Sequence, residues 1–340
     1  MPLETLLPAP ISPDNLARDF FASPANSPLE PQAPENWNGE ILTAISEVTT
    51  RYHPISKIGC GASADVFRAF DSQFHRPVAL KRFNQQTIES SPAESDYLSE
   101  VEAISRICHP NVVRAYDIDD DEDGPFIIFE LLEGIDLEER LKDGPLDANE
   151  ARHFLSQALE ALIAVHQADI SHLDLKPANF MVTPSANGIP HYTLIDFGRA
   201  CDAEREKKRR ESKDKKSLRG SIHYMAPEQF TNGVLDARTD LYALGAMAYE
   251  ILTGEKPFEG DNTIQVMSAH LTNRVKPIGE LIPNLPPGMA PWIMSLIAQT
   301  PEARPQTADE ALRSFLSLST LQFSTQMKII EPFPILGKTA

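Results

Sequence analysis

An α+β architecture is predicted for this chain, with a small unit of five antiparallel strands and one helix ahead of a larger, mainly helical unit. Three observations predict it. Short runs rich in β-branched and aromatic residues follow one another between Arg51 and Phe129. After Gly134 the apolar residues recur at helical spacing instead. The 340 residues, 41% of them hydrophobic, suffice to bury a core of two lobes.

In the first half, Tyr52 to Ile58, Asp65 to Phe70 and Val78 to Phe83 read as strands joined by glycine-rich and polar links. Ser91-Pro92-Ala93-Glu94 supplies an N-cap, a first-turn proline and a capping-box acid, so a helix is expected to run to Ile107. Val112 to Ile118 and Phe126 to Phe129 follow as strands around the acidic turn Asp119 to Asp123. In the second half, Asp147 with Glu150 opens a helix carrying Leu155, Leu159, Leu162, Ile163 and His166. Two short strands, Phe180 to Val182 and Tyr192 to Ile195, flank a Pro-Ser-Ala-Asn-Gly hairpin. Asp240 to Leu252 is apolar nearly all round, the mark of a central buried helix. Further helices are expected over Thr263 to Leu271, Pro291 to Ala298 and Thr307 to Leu318.

The ends differ in character. Residues 1–36 hold eight prolines, which remove amide donors and fix φ, so residues 1–50 read as a disordered leader with a short helix over Glu40 to Val48. The folded domain is expected over 51–316, split into lobes at 51–130 and 135–316, with 317–340 as a tail.

With 31 Lys and Arg against 49 Asp and Glu, the net charge of −18 argues against general nucleic-acid or anionic-membrane affinity. Cys60, Cys108 and Cys201 are scattered and odd in number, which points away from a disulfide framework and towards a reducing cytoplasm. No apolar run reaches the roughly 18 residues that span a bilayer.

The chemistry concentrates in His172-Leu173-Asp174-Leu175-Lys176-Pro177-Ala178-Asn179. A carboxylate can orient a hydroxyl and accept its proton, an ammonium can neutralise a phosphoryl oxygen, and an amide oxygen can ligate Mg²⁺. Alone, the octapeptide can also be read as a polar turn after a helix. Its order in the chain decides: Gly59-Cys60-Gly61-Ala62-Ser63-Ala64-Asp65-Val66 and Val78-Ala79-Leu80-Lys81 precede it, and Asp196-Phe197-Gly198 and Ala226-Pro227-Glu228 follow. A glycine-rich turn on its own is as well explained by an ordinary hairpin, but glycines also let backbone amides approach phosphate oxygens.

This ordered set resembles the protein kinase family, and its wording is most similar to bacterial eukaryotic-like Ser/Thr kinases; the resemblance covers roughly residues 51–316. It implies a bilobal protein-kinase-like fold that transfers the γ-phosphoryl group of ATP, with Mg²⁺ or Mn²⁺, to Ser or Thr of protein substrates, the kinase itself included. Asp174 is then the catalytic base and Lys176 the cation at the transferring group, and a lysine there goes with Ser/Thr specificity. Asn179 and Asp196 hold the metal. Lys81 meets the α- and β-phosphates, steadied by Glu100, with Glu94 and Glu102 as rivals facing elsewhere on helical phase. The nucleotide is also met by Ile58 and the loop to Val66, by the adenine-binding segment Glu130 to Leu132 behind the gatekeeper Phe129, and by Asp136 at the ribose, where a solvated helix start is an equal reading. His172 and Phe197 pack as supports, Asp240 bonds the catalytic-loop backbone, Glu228 pairs with Arg304, and the Ser221 hydroxyl bonds Asp174 and Lys176. The competing class is a pseudokinase, a nucleotide-binding scaffold, against which the full set of Lys81, Glu100, Asp174, Asn179 and Asp196 argues.

Two departures stand out. Leu173 occupies the place where regulated relatives carry an arginine that receives an activation-segment phosphate, so activity is expected without that phosphorylation at Ser212 or Ser217. Residues 204–219 hold nine basic residues against four acidic ones, either a solvated loop or a surface selecting acidic substrates.

Overall fold

The computed structural model describes residues 51–61, 64–84, 94–185, 188–203, 205–207 and 221–318. The leader, the helix-opening Ser91-Pro92-Ala93, the loop residues Ala62 and Ser63, most of the 204–219 run and the tail beyond 318 lie outside them. The chain divides into two compact units, with boundaries after Glu94, Val113 and Leu131.

The first unit is a five-stranded antiparallel sheet. Its strands are β1 (Tyr52–Cys60), β2 (Ala64–Asp71), β3 (Arg76–Phe83), β4 (Ala115–Asp121) and β5 (Gly124–Glu130), in the order β1-β2-β3-β5-β4. Period-two alternation buries Tyr52, Ala69, Val78, Leu80, Phe126 and Ile128 in one cluster. Arg51 closes the sheet's end, bonding Asp71 at 3.0 Å and Asp117 at 2.5 Å, while the Tyr52 hydroxyl donates to the same Asp117 oxygen at 2.5 Å.

β4 begins three residues later than the sequence suggests. The valines at 112 and 113 are buried, but Val113 donates its N–H to the Leu194 carbonyl at 2.9 Å, so their apolar character serves the second unit. The acidic turn is likewise shorter than expected, because Asp119, Asp120 and Asp121 extend β4 opposite Phe126, Pro125 and Gly124. Arg82 on β3 pairs with Asp121 there.

The second unit is mainly helical. By its contacts it takes in helix α1 (Glu94–Ser105) from Ser95 onwards. After β6 (Ile135–Asp136) and α2 (Leu137–Leu141) comes α3 (Ala148–Gln167), whose first N–H groups are capped by the Asp147 carboxylate. Strands β7 (Ile170–Ser171), β8 (Phe180–Thr183), β9 (His191–Leu194) and β10 (Cys201–Asp202) follow, and β6-β8-β9 form a small sheet. Phe154 of α3 meets Phe180 and Tyr192 edge-on at 5.1 Å each, three fully buried rings worth about 1.5–3 kcal/mol apiece. The remaining helices are α4 (Pro227–Phe230), α5 (Ala237–Thr253), α6 (Thr263–Leu271), α7 (Ile278–Leu281), α8 (Met289–Leu296) and α9 (Ala308–Ser317). As its composition implies, α5 is buried round nearly its whole circumference. Gly245 lets α8 approach: a Cβ there would lie 2.6 Å from that of Leu296.

His270 of α6 is fully buried between Phe258, Phe230 and Tyr242, with the Tyr242 hydroxyl 2.8 Å from Nδ1. Burial, and then the nearby His223, push its pKa down to about 3, with a backbone bond at Ile222 opposing. The unfolded chain therefore binds one more proton between pH ~6.5 and ~3, so stability is present above pH ~6.5 and drains away as pH falls through that window. At pH 5 the loss is about 2 kcal/mol. His270→Gln is expected to flatten this slope, as thermal melts at pH 7.5 and 5 would show; an unchanged slope would contradict it.

Candidate active site

In the first unit the glycine-rich turn is closed by Gly61 donating its N–H to the Ala64 carbonyl at 2.9 Å. Lys57 and Asp65 pair across it at 2.8 Å, and that hydrogen bond holds the Asp65 carboxyl below its ordinary range. In the strand register Val66 faces Gly59 on one side and Lys81 on the other, which aligns the turn with the strand lysine. Lys81 also faces Ile127 of β5. Ile58 and Cys60 are exposed, and Phe129 is nearly buried between Ala79 and Ala115. Glu130 uses its own N–H on the Arg114 carbonyl at 2.9 Å, and its carboxylate accepts from Arg114 N at 2.7 Å.

In the second unit the loop from His172 to Asn179 runs between β7 and β8 and ends in a 3₁₀ turn over Pro177–Asn179. Its backbone is strained, with Leu173 at φ 64°. The strain is over-determined from outside the loop. The buried Asp240 carboxylate accepts both the His172 and Leu173 N–H groups at 2.8 Å, and His166 approaches it at 2.9 Å. Gln229 donates to the Leu173 carbonyl at 3.1 Å. His172 itself is fully buried and meets Phe197 edge-on at 5.0 Å.

Inside this frame Asn179 donates its amide N–H to the Asp174 carbonyl at 2.7 Å, and its own carbonyl accepts from Ile195 N at 2.8 Å. The residue before Asp196 is thereby tied to the loop. Lys176 Nζ stands 3.3 Å from one oxygen of the Asp174 carboxylate, and Arg199 Nη1 stands 3.5 Å from the other. Asp196 takes a positive φ of 65° and its carboxylate accepts from Gly198 N at 3.4 Å. A Cβ at Gly198 would lie 3.3 Å from an Asp196 oxygen and 3.5 Å from a Glu100 oxygen, so the buried Glu100 and the exposed Asp196 flank one glycine.

Magnesium is the metal that the fold family implies, and the donor set suits it. With its amide N–H₂ engaged by Asp174, Asn179 offers its oxygen, and Asp196 offers a carboxylate; Mg²⁺ takes one or two such protein oxygens and fills its shell with phosphate and water. Among the described residues no cluster of three His, Cys, Asp or Glu offers a rival metal site.

Other expected residues take definite places. Arg304, wholly buried, meets both Glu228 oxygens at 2.7 and 2.9 Å. Asp136 caps α2 by accepting from Glu139 N at 2.8 Å, and Leu132 is half-buried just before it. Glu102 is engaged by Arg106 and, at 2.5 Å, by Arg205. Ser221 is half-buried, and the two Asp174 oxygens face Lys176 and Arg199. Three residues escaped the sequence reading. Arg199 and Gln229 lack any pattern of their own, whereas Gly134 left a trace in being glycine: a Cβ there would sit 2.1 Å from the Val182 carbonyl.

The protein kinase domain model matches residues 52–316. The serine/threonine-protein kinase PrkC of Bacillus subtilis is 30% identical over 77% of this chain and 40% of its own length. Pkn3 of Myxococcus xanthus is 32% identical over 77% of this chain and 49% of its own, and PknB of Mycobacterium leprae 30% identical over 79% and 43%. The chain thus spans less than half the length of these relatives. No helix among the described residues is long and apolar enough to cross a membrane. With the match extending over most of its length, the five-stranded sheet, the helical unit and the Asp174 loop identify this chain as a member of the protein kinase family.

Proposed function

We propose that this chain is a Ser/Thr protein kinase that transfers the γ-phosphoryl group of Mg-ATP to serine and threonine hydroxyls of proteins, itself included. The observation that carries the reading is the Asp174 carboxylate, only 13% exposed, held between two cations on a loop whose Asn179 is tied to the strand leading into Asp196. Asp174 orients the acceptor hydroxyl and takes its proton, while Lys176 offsets charge on the transferring group. Asn179 and Asp196 hold the cation, which when bound neutralises phosphate charge. Lys81, steadied by Glu100, and the turn from Gly59 to Val66 take the remaining phosphates, and Glu130 to Leu132 takes the adenine.

The scaffold reading is weaker, since every residue that the transfer needs is present. The three free cysteines suit a reducing cytoplasm. A preference for acidic substrates through the 204–219 run also belongs to this proposal, with Arg205 engaged by Glu102.

Incubation with Mg-ATP and a generic acceptor protein, followed by phosphoamino-acid analysis, is the test. Phosphoserine and phosphothreonine are expected. Nucleotide binding without transfer, or transfer confined to small molecules, would overturn the reading.

A further inference from the structure

We infer that Arg199, immediately after Asp196-Phe197-Gly198, is a positioning residue for the catalytic base, a role that rests on the proposed transfer reaction. The loop backbone is secured by Asp240 and Gln229, but neither touches the Asp174 carboxylate. Among the described residues that carboxylate meets two cations, one on each oxygen: Lys176 from its own loop and Arg199 from the turn that carries Asp196.

Geometry gives the arginine a distinct part. Although the side chain is a third exposed, its Nη1 is shielded from water, makes no hydrogen bond and faces Oδ1 of Asp174. At 3.5 Å the contact is an ion pair a few tenths of an ångström beyond hydrogen-bond length, a looseness common in sites before substrate binds. The turn that bears it is itself constrained, through Ala200 N donating to the Phe197 carbonyl at 2.9 Å and through the pairing of β10 with β7. Arg199 therefore couples the base to the metal-ligand turn, so that Asp174 is aligned only when Asp196 is in place. The residue before the base, Leu173, has no charge with which to do this.

A carboxylate released from one of its two cations keeps its chemistry and loses its orientation. Arg199→Met is accordingly expected to lower kcat about ten- to hundredfold, the cost of misplacing a reacting group, with KM for ATP within about twofold of wild type. Arg199→Lys, which keeps the charge, recovers part of that loss. In an Asp174→Asn background, with no carboxylate left to orient, Arg199→Met has no further effect, whereas a general structural role would lower the residual rate by the same factor again. If Arg199→Met does not fold, Arg199→Gln is read in the same way. An unchanged kcat, or an equal loss in the Asp174→Asn background, overturns the inference and leaves the kinase reading intact. A wild-type chain that transfers nothing removes both.

Discussion

Asp174→Ala is expected to reduce phosphoryl transfer by about 10²–10⁴, the usual cost of removing a general base, while the protein stays folded and still binds nucleotide. Three features combine to give that result. The carboxylate sits at the head of a loop whose backbone is held by Asp240, Gln229 and Asn179, so its loss does not release the loop. What disappears is the proton acceptor, together with the negative charge between Lys176 and Arg199. Two cations left facing each other favour anion binding, so affinity for ATP should not fall. Initial rates of phosphate incorporation measure the first effect, a thermal melt and nucleotide titration the second. Transfer within a few-fold of wild type would remove Asp174 from the mechanism.

Arg304→Met should destabilise the domain by about 3–5 kcal/mol, the largest stability effect anticipated for a single side chain here. The guanidinium is fully buried and every donor is engaged: two on Glu228, one each on the carbonyls of Ala298, Arg238 and Gln299 at 2.9, 2.9 and 3.2 Å. It also stacks 4.7 Å over the Tyr242 ring. Methionine fills much of the volume but leaves the Glu228 carboxylate, 7% exposed, with only the Thr239 hydroxyl at 3.0 Å among the described residues. The cost is that of an uncompensated buried charge, and a fall in melting temperature on the order of 10 °C is expected. Removing Glu228 as well should cost less than the two single changes summed, because the second deletion relieves the orphaned charge. A melt unchanged within a degree or two would show that the pair is dispensable.

Most of the local structure could be read directly from residues. Asp147 and Thr307 mark helix starts because a short acceptor side chain before an apolar repeat satisfies the first free N–H groups, and both cap helices in the fold. The unbroken apolar run of α5 marks a buried helix for equally local reasons. Reading failed where one property had two uses. The apolar Val112 and Val113 look like the start of a strand, but they bind Leu194, more than eighty residues on, instead of β5. Asp136 is legible either as a ribose contact or as a helix start, and its carboxylate caps α2.

The sequence by itself determined the family, the order of its chemical groups and the identity of the residues assigned to transfer, because these reside in short motifs whose residue types and spacing carry the chemistry. Tertiary structure decided which charges meet. Arg199 lies twenty-five positions from Asp174, with no spacing rule to join them, and becomes its partner only because β10 pairs with β7 and returns the chain to the loop. Arg205 similarly finds Glu102 across 103 positions. An ion pair depends on a few ångströms of separation, and for residues far apart in sequence that separation is set by packing alone.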